Sequence, residues 1–540
     1  PRIVVLSTDV FEEFMERHEL FPFVAQDHED QVILDKFISK PLPNWALDDV
    51  KAFLATTKMP IAIRSSSVLE DSHYQPFAGV FATYMVPNTD QEKMFEMVVN
   101  AIKSVIASAY FRNSKAYIKA ISHSIEEDKM AVILQEVVGK QYEDVYYPNI
   151  SGVARSINFY PIGSEKPHEG IANIALGLGE IVVAGGQTLQ FSPYHPTKIL
   201  QLSSPDSAQR DTQKFFYGLE MDPNKYQVST SEAVNKRKIS IRQAKNHDSL
   251  KFVASTYDMQ NNIVRPGVLH DGFKLITFDN ILKYNTFPLA EILKDLLRIS
   301  QREMQNPVEI EFAIKLDVPP GEPRTFNFLQ IRPIVETNDA SNYLPDDFKQ
   351  DETIIYSESA LGNGKFDHIS DFVYVKPATF NSSNTVEIAQ AVEKINKKFE
   401  EEGKQYILVG PGRWGSSDRW LGIPVKWSQI SSAKVIVESG LDEFRIDPSQ
   451  GTHFFQNLTS FKVGYLTINP FINEGFYDTN YLNNQEAVFE DEYLRHIKFN
   501  EPLTIVIEGK TNRAAIFKAG FVLNKYTDDE MDYFPPDGFM

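Results

Sequence analysis

An acidic segment without apolar periodicity divides this sequence and limits how the chain can fold. Residues 336–352 read ETNDASNYLPDDFKQDE, which has neither the alternation of a half-buried strand nor the spacing of an amphipathic helix. We expect this segment to be a hinge-like linker between a domain at residues 1–335 and a second domain at residues 353–540. Both flanking stretches are long enough to bury a core of their own.

Helical and strand patterns are mixed on both sides of the linker. In the first domain, apolar runs at residues 59–63 and 130–138 are typical of buried strands, and residues 89–120 have apolar side chains at helical spacing. We place a strand at 151–160 beside the one at 130–138. Residues 309–315 and 326–335 are predicted to pair across a Pro/Gly turn. The predicted fold class is α+β, with a smaller α/β domain after the linker.

Composition and charge exclude several classes of protein. The 540 residues include no cysteine, which excludes a disulfide scaffold, a Cys-ligated metal site and a Cys nucleophile. This fits a reducing compartment, and we expect a cytoplasmic protein. The formal net charge of −19 argues against a general nucleic-acid-binding protein, and no apolar run is long enough to predict a membrane helix. Because the sequence begins with Pro, we expect a processed chain or a fragment of a longer one.

The segment IAIRSSSVLEDSHYQPFAGVFATY, residues 61–84, carries the most chemistry. Arg64 leaves a predicted buried strand and is followed by three serines. A fixed guanidinium with several hydroxyl and amide donors suits a polyphosphate. The alternative is a salt-bridged arginine at a strand end followed by a hydrophilic turn, and the residue types alone leave both open.

Six collinear motifs in residues 61–335 favour the phosphate site. They are Arg64-Ser65-Ser66 with Glu70-Asp71, Phe77-Ala78-Gly79 with Thr83-Tyr84, the 130–138 strand, Ser151-Gly152-Val153-Ala154, Gly177-Leu178-Gly179-Glu180 followed by Val182, Val183 and Gly185, and Glu309-Ile310-Glu311-Phe312 with Leu329-Gln330-Ile331-Arg332-Pro333. Together they resemble the nucleotide-binding domain of phosphoenolpyruvate synthase and pyruvate phosphate dikinase.

The resemblance implies an ATP-grasp-like fold whose two lobes close over ATP and Mg²⁺. It assigns the 130–138 strand to the adenine, with Gln135, Glu136 and Val138 as nucleotide-binding residues. It implies that Arg64 and Arg332 neutralise the charge of the phosphates. It also implies that oxygen atoms of Glu311 and Gln330 bind Mg²⁺, with Glu309 as a further ligand. Gly177, Gly179 and Glu180 would approach the phosphates. The alternative for this glycine segment is a plain mobile turn.

The sequence departs from the family in two places. The family begins with a G-G-K-G type loop whose Lys reaches the ATP phosphates, and residues 1–60 contain no such loop. We expect it either to be lost or to lie upstream of this chain; if it lies upstream, we expect this chain to bind ATP weakly or not at all. Residues after 352 are also too few for both the family's carrier domain and its pyruvate barrel, so a complete phosphoenolpyruvate synthase is not expected.

A histidine carrier is predicted at His453. Gly451-Thr452-His453 followed by two apolar residues loosely matches the phosphocarrier motif of the family. A neutral imidazole at a helix N-terminus can attack phosphorus while backbone amides hold the phosphoryl oxygens. The alternative is a structural histidine that begins a helix, since the A-A pair and the downstream arginine of the motif are absent.

A second dense segment, VGPGRWGSSDRWLG at residues 409–422, follows a predicted strand. Its glycines and Arg413 suit an anion, and its tryptophans could stack on a base or a sugar. The alternative is a packed structural loop in which Arg413 and Arg419 pair with acidic neighbours.

Three functional hypotheses follow. The leading one is a dikinase-like, ATP-dependent phosphotransferase that passes a phosphoryl group to a small molecule or a protein, with Arg64, Arg332 and His453 as catalytic residues. The second is a catalytically degenerate nucleotide-binding sensor or scaffold, which the missing Lys loop and barrel favour. The third, an ATP-grasp ligase acting on a carboxylate, is less consistent with the motifs, which match the dikinases more closely.

Overall fold

The computed structural model describes residues 1–67, 70, 79–120, 129–162, 164–334, 344, 348–441, 446, 452–460, 463–509 and 511–521. Internal contacts divide the chain into two units. The first unit comprises residues 1–335 together with 449–461, and the second comprises residues 336–448 and 462–540. Most of the linker predicted at 336–352 lies outside the described residues, so its role as a hinge stays a prediction.

The described residues form helices and short 3₁₀ turns between many strands, which confirms a mixed α+β chain. The helices are α1 (Thr8–Arg17), α2 (Leu20–Val24), α3 (Asp30–Ile38), α4 (Asn44–Thr56), α5 (Gln91–Ser108), α6 (Arg112–Ala120), α7 (Glu180–Val183), α8 (Pro205–Asp211), α9 (Leu250–Val253), α10 (Asp279–Leu282), α11 (Leu289–Met304), α12 (Thr385–Glu402), α13 (His453–Ser460) and α14 (Thr479–Asn483).

The strands of the first unit are β1 (Ile3–Leu6), β2 (Ile61–Ser67), β3 (Tyr84–Val86), β4 (Met130–Glu136), β5 (Lys140–Tyr142), β6 (Val145–Tyr147), β7 (Ile150–Arg155), β8 (Ile171–Ala175), β9 (Leu189–Phe191), β10 (Phe215–Glu220), β11 (Lys236–Ser240), β12 (Ala254–Asp258), β13 (Ile263–Pro266), β14 (Phe273–Ile276), β15 (Val308–Lys315) and β16 (Thr325–Pro333). They make four sheets, of which two position the candidate site. The N-terminal sheet has the order β1-β4-β2-β3, and the central sheet has the order β16-β15-β7-β8-β9.

The pairing of strands was only partly predictable. The hairpin of β15 and β16 is confirmed, and its register sets Glu311 opposite Gln330. The placement of the 151–160 strand beside the 130–138 strand is wrong, because β7 pairs with β15 and β8 whereas β4 lies between β1 and β2. Apolar periodicity identifies a buried strand but does not state its partner.

The predicted helix at 89–120 is two helices. Asp90 caps the first by accepting a hydrogen bond from the Lys93 amide at 3.0 Å. The buried face of α5 includes Met94, Val98, Ala101, Ile102 and Val105, which recur at the three- and four-residue spacing of a helix packed on a sheet. α5 ends at Ser108, and α6 begins at Arg112.

The strands of the second unit are β17 (Thr353–Ser357), β18 (Ala360–Leu361), β19 (Asn363–Val375), β20 (Tyr406–Pro411), β21 (Arg413–Trp414), β22 (Gly422–Ile423), β23 (Ala433–Ser439), β24 (Gly464–Ile468), β25 (Phe476–Tyr477), β26 (Ala487–Glu490), β27 (Leu494–Glu508) and β28 (Arg513–Phe517). Nine of these strands form one sheet in the order β18-β24-β23-β20-β19-β27-β28-β17-β25. β26 also pairs with β27, and β21 and β22 form a separate two-stranded sheet. The steps β19–β20, β20–β23 and β23–β24 are parallel. The core of this unit is built on the sheet, with Phe372, Ile407 and Val435 fully buried.

One short segment departs from the predicted division at residue 353. Residues 449–461, which contain α13, belong by their contacts to the first unit. The reason is the apolar face of α13, where Phe455 and Leu458 are almost fully buried and Phe455 lies 6.1 Å from the ring of Phe159. A stretch that the sequence assigns to the second domain therefore completes the first.

Among the described residues, no single helix is both long and apolar enough to cross a membrane, although the bent pair Gln91–Ser108 and Arg112–Ile118 meets that test by length and composition.

Candidate functional site

Arg64 joins the N-terminal sheet to the central sheet within the first unit. It lies on β2, where its neighbours Ile61 and Ile63 are fully buried and fix the strand. Its guanidinium donates hydrogen bonds to Oε1 of Gln330 and, at 3.5 Å, to Oε1 of Gln135. A third group, Oε2 of Glu311, lies 3.9 Å away. The predicted phosphate ligand therefore sits with predicted metal and nucleotide ligands.

Glu311 is held between two guanidinium groups. The register of β15 and β16 places it opposite Gln330, and its Oε1 atom lies 3.5 Å from Nη1 of Arg332. Arg332 is 4% exposed, so its charge is largely removed from water. The structure thus brings together Arg64, Glu311, Gln330 and Arg332, four residues that the sequence motifs single out.

The environment of Glu311 changes its acidity. Burial alone would raise the pKa of the carboxyl group, but contact with His453 and the charges of Arg332 and Arg64 hold that pKa well below its usual range. The carboxylate is therefore ionised throughout the ordinary pH range.

We expect this ionised carboxylate to make folding stability depend on pH. The pKa of Glu311 is lower in the folded chain than its value of about 4.3 in the unfolded chain. The ionised carboxylate therefore stabilises the fold fully above about pH 4.3, and this stabilisation is lost as the pH falls below that value. Replacing Glu311 by Gln should lower the free energy of unfolding by about 3 kcal/mol at pH 7, since it leaves buried and partly buried cations unpaired.

Urea denaturation at pH 7, 5 and 3.5 measures this effect. The difference between wild type and Glu311→Gln should shrink at pH 3.5, whereas Glu322→Gln, an exposed carboxylate in the same hairpin, should show little difference at any pH. A Glu311→Gln difference that is constant or grows on acidification would contradict the assigned electrostatics.

His453 lies against the cluster formed by Arg64, Glu311, Gln330 and Arg332. Its Nε2 atom is 3.6 Å from Oε1 of Glu311 and 3.5 Å from Nη1 of Arg332. The ring also contacts Gly79, where an added Cβ would lie only 2.1 Å from Nδ1 of His453. Since Gly79 has a φ of +64°, the position excludes a side chain on both counts. His453 is the first residue of α13, and its side chain is 23% exposed.

Several contacts of neighbouring residues hold the helix that carries His453 in place. The Thr452 hydroxyl accepts a hydrogen bond from the Phe455 amide at 3.0 Å, which caps α13. The Phe455 ring lies 5.4 Å from the Arg155 guanidinium carbon, and Asn457 donates to the Tyr117 hydroxyl at 3.2 Å. Sequence reasoning singled out His453 but not these contacts, because the distant partners Arg155 and Tyr117 belong to no recognisable motif.

Glu309 is placed differently from the expectation. It lies on the same face of β15 as Glu311, but its carboxylate is 3% exposed and pairs with Nε of Arg155 at 2.6 Å. The buried ion pair satisfies Glu309, which makes it a poor metal ligand in this arrangement. Within the described part of the chain, no group of three or more His, Cys, Asp or Glu side chains forms a ready metal site.

The donor set nevertheless fits a hard cation. Glu311 and Gln330 present carboxylate and amide oxygens side by side, and these are the ligands that Mg²⁺ takes together with phosphate oxygens and water. Oε1 of Glu311 is buried and accepts no well-formed hydrogen bond from the described residues. A magnesium ion brought in with a nucleotide would therefore be held by Glu311 and Gln330.

The predicted adenine strand is only partly available to a ligand. Residues 130–136 form β4, whose backbone pairs with β1 on one side and β2 on the other. Glu136 accepts hydrogen bonds from the Arg2 amide and, at 2.6 Å, from the Thr57 hydroxyl, so its carboxylate ties these elements together. Val138 lies beyond the end of the strand. Gln135 is 5% exposed, and its buried Nε2 atom has no acceptor among the described residues.

The glycine segment after β8 is packed and not simply mobile. Gly177 has a φ of +95°, and a Cβ there would lie 2.8 Å from both Phe216 and the Tyr217 carbonyl oxygen on β10. Its role in this structure is the close approach of two chain segments. Gly179 is the residue before α7 and has more room, since a Cβ there would lie 3.7 Å from Ser151. Glu180 pairs with Nζ of Lys236 at 2.7 Å, a contact that the sequence did not predict.

The 410–422 segment of the second unit is a tightly packed loop. A Cβ on Gly422 would lie 1.9 Å from the Arg413 carbonyl oxygen, and Trp414 is 1% exposed with its indole N–H bonded to the Val437 carbonyl. Trp414 is therefore a core residue and cannot stack on a ligand. Trp420 is 56% exposed and lies 5.1 Å from the Arg419 guanidinium carbon. The role of Arg413 as an anion ligand stays a prediction.

Comparison with known proteins decides the family. The family model described as the pyruvate phosphate dikinase AMP/ATP-binding domain matches residues 1–352. The chain belongs to this family. The match covers every site residue discussed in the first unit except the α13 segment, and it confirms the family that the motifs indicated.

Two curated proteins illustrate the relationship. The chain is 27% identical over 165 residues to a phosphoenolpyruvate synthase of Aeropyrum pernix, which covers 29% of this chain and 18% of that protein. It is 26% identical over 184 residues to the uncharacterized phosphotransferase YvkC of Bacillus subtilis, which covers 34% of this chain and 20% of that protein. These alignments span about a fifth of the length of either relative.

Proposed function

We propose that this chain is an ATP-dependent phosphotransferase of the dikinase type, in which His453 accepts the phosphoryl group. The observation that carries this proposal is the position of the His453 Nε2 atom, 3.5 Å from Arg332 and 3.6 Å from Glu311. A histidine with only a structural role at a helix start has no need to face a buried arginine and a carboxylate. Membership in a family of AMP/ATP-binding domains supports ATP as the phosphoryl donor.

The nucleotide would lie between the N-terminal sheet and the central sheet, in an ATP-grasp-like arrangement of two lobes. Arg64 on one sheet and Arg332 on the other would neutralise phosphate charge, and the fork of a guanidinium matches phosphate oxygens well. Val138, just beyond the end of β4, would offer its backbone to the adenine. When Mg²⁺ is bound through Glu311 and Gln330, it withdraws charge from the phosphate oxygens.

The transfer requires a neutral imidazole with a free lone pair on Nε2. That lone pair forms a bond to phosphorus while the bond from phosphorus to the departing nucleotide oxygen breaks, so the electron pair leaves with the nucleotide. The Arg332 guanidinium, adjacent to Nε2, would stabilise the negative charge on the transferring group. The phosphoryl group would then pass to a small-molecule or protein acceptor.

We expect the chain to acquire a protein-bound label from ATP that is stable in alkali and labile in acid, as a phosphoramidate is. The wild-type chain is incubated with Mg²⁺ and with ATP labelled at either the β or the γ position, which also identifies the phosphorus that moves. His453→Ala should lose the adduct completely while retaining ATP binding within about threefold, because His453 is not assigned to the nucleotide.

His168→Ala is the matched control, since His168 is an exposed histidine of the same unit. It should be labelled like the wild type. An acid-labile adduct that survives in His453→Ala would refute the assignment of the carrier, and the absence of any adduct on a wild-type chain that binds ATP would refute the transfer step.

The internal pairing of the site favours one alternative, a nucleotide-binding sensor or scaffold without turnover. Arg64 already contacts Gln330 and Glu311, and Glu309 is paired with Arg155, so charges in the described part of the site are largely compensated without a ligand. Such a module would bind ATP and never become labelled. The same experiment therefore separates the two functions.

A further inference from the structure

A buried lysine lies between two carboxylates in the first unit. Lys236 is the first residue of β11, and its side chain is 5% exposed. Its Nζ atom is 2.7 Å from Oε2 of Glu180 and 3.5 Å from Oε1 of Glu232. Burial would lower the pKa of this amine, but the two carboxylates raise it above its ordinary value. Lys236 is therefore a charged ammonium group.

Glu232 also holds the turn that leads from Gly79 into β3. Its Oε2 atom accepts a hydrogen bond of 2.6 Å from the backbone amide of Thr83. Gly79, at the other end of this turn, contacts the His453 ring. Four residues of extended chain span at most about 14 Å, so the Thr83 amide lies within that distance of Gly79.

The donors that converge on Glu232 are those that would bind a phosphoryl group. A backbone amide and an ammonium group together prefer an anionic oxygen, and both share the Glu232 carboxylate in this structure. The Glu232 side chain is 39% exposed, whereas that of Glu180 is 19% exposed. Glu232 can thus turn into water at low cost, while Glu180 remains as the counterion of Lys236.

We propose that Lys236 and the Thr83 amide bind a phosphoryl group of the nucleotide, and that Glu232 is an internal competitor that occupies these donors until the phosphoryl group replaces it. This inference rests on the proposed nucleotide site and adds a lysine to it. It also implies that the Glu232 carboxylate leaves the Thr83 amide and Lys236 when the phosphoryl group binds. A structural latch would keep Glu232 in place with or without a ligand.

Titration calorimetry with ATP, inorganic tripolyphosphate and adenosine tests the exchange. Glu232→Gln removes the competing charge and keeps the shape, so ATP and tripolyphosphate should bind about fivefold more tightly while adenosine binding is unchanged. Lys236→Met should weaken the binding of ATP and tripolyphosphate about thirtyfold, the loss of one charge-assisted hydrogen bond. Glu322→Gln and Lys245→Met, both exposed, are the controls and should change nothing.

The outcomes separate this inference from the function on which it rests. Because Lys236→Met leaves two carboxylates without their cation, it can fail to fold, and Glu232→Gln alone then decides. Equal or weaker tripolyphosphate binding by a folded Glu232→Gln would overturn the competitor, and so would a gain that adenosine shares. A wild-type chain that binds none of the three ligands would refute the nucleotide site itself.

Discussion

Replacing Glu311 by Gln together with Gln330 by Ala should abolish Mg²⁺-dependent turnover of ATP, with a loss of at least about a thousandfold. The two side chains face each other across β15 and β16 and supply the oxygen atoms proposed for the metal. The change removes a charge and an amide but little volume from the core. Steady-state release of labelled phosphate or nucleotide at saturating Mg²⁺ measures the effect.

The double variant is informative only if it is folded. Far-ultraviolet circular dichroism and the urea midpoint report this, and the Glu322→Gln variant of the same hairpin serves as the active control. Normal turnover by a folded double variant would show that the metal is held elsewhere. A loss that excess Mn²⁺ partly restores would support a metal role over a purely structural one.

Replacing Arg64 by Ala should weaken ATP binding by about a hundredfold or more, since each hydrogen bond to a charged group contributes about 1.5–3 kcal/mol. Arg64→Lys keeps the charge but loses the fork, and it should recover only part of the affinity. Arg298→Ala, an exposed arginine on α11 of the same unit, is the control and should bind like the wild type. Equal affinities for Arg64→Ala and wild type in titration calorimetry would end the assignment of Arg64 to the phosphates.

The sequence predicted which residues belong to the site better than it predicted how they are arranged. Arg64, Glu311, Gln330 and Arg332 stand in recognisable motifs, and the structure brings them together. Glu309 belongs to the same motif as Glu311, but its pairing with Arg155 was not predicted, because Arg155 lies 154 residues away on another strand. Pairing between distant residues depends on strand register, which periodicity does not specify.

The remaining differences have the same origin. The close approach of Gly177 to β10 was not predicted, because a glycine motif shows that space is needed but not what fills it, and its approach to phosphate stays a prediction. Trp414 was considered for stacking and is a core residue. Lys236 and Glu232 carried no motif and were missed, although a lysine four residues after a glutamate is visible in the sequence as a local ion pair.

The inserted segment 449–461 has a consequence for how this polypeptide is made. A chain emerging from the ribosome has produced all of β1 to β16 long before α13 exists, so the contacts of Tyr117, Phe159 and Arg155 with α13 form only after most of the second unit has been synthesised. Contacts at such separation are slow to form. A shortened chain that stops at residue 352 would keep the whole family match but would lack the histidine and the helix that cover those side chains. The first unit is therefore completed late in synthesis, after the larger part of the second unit has been produced.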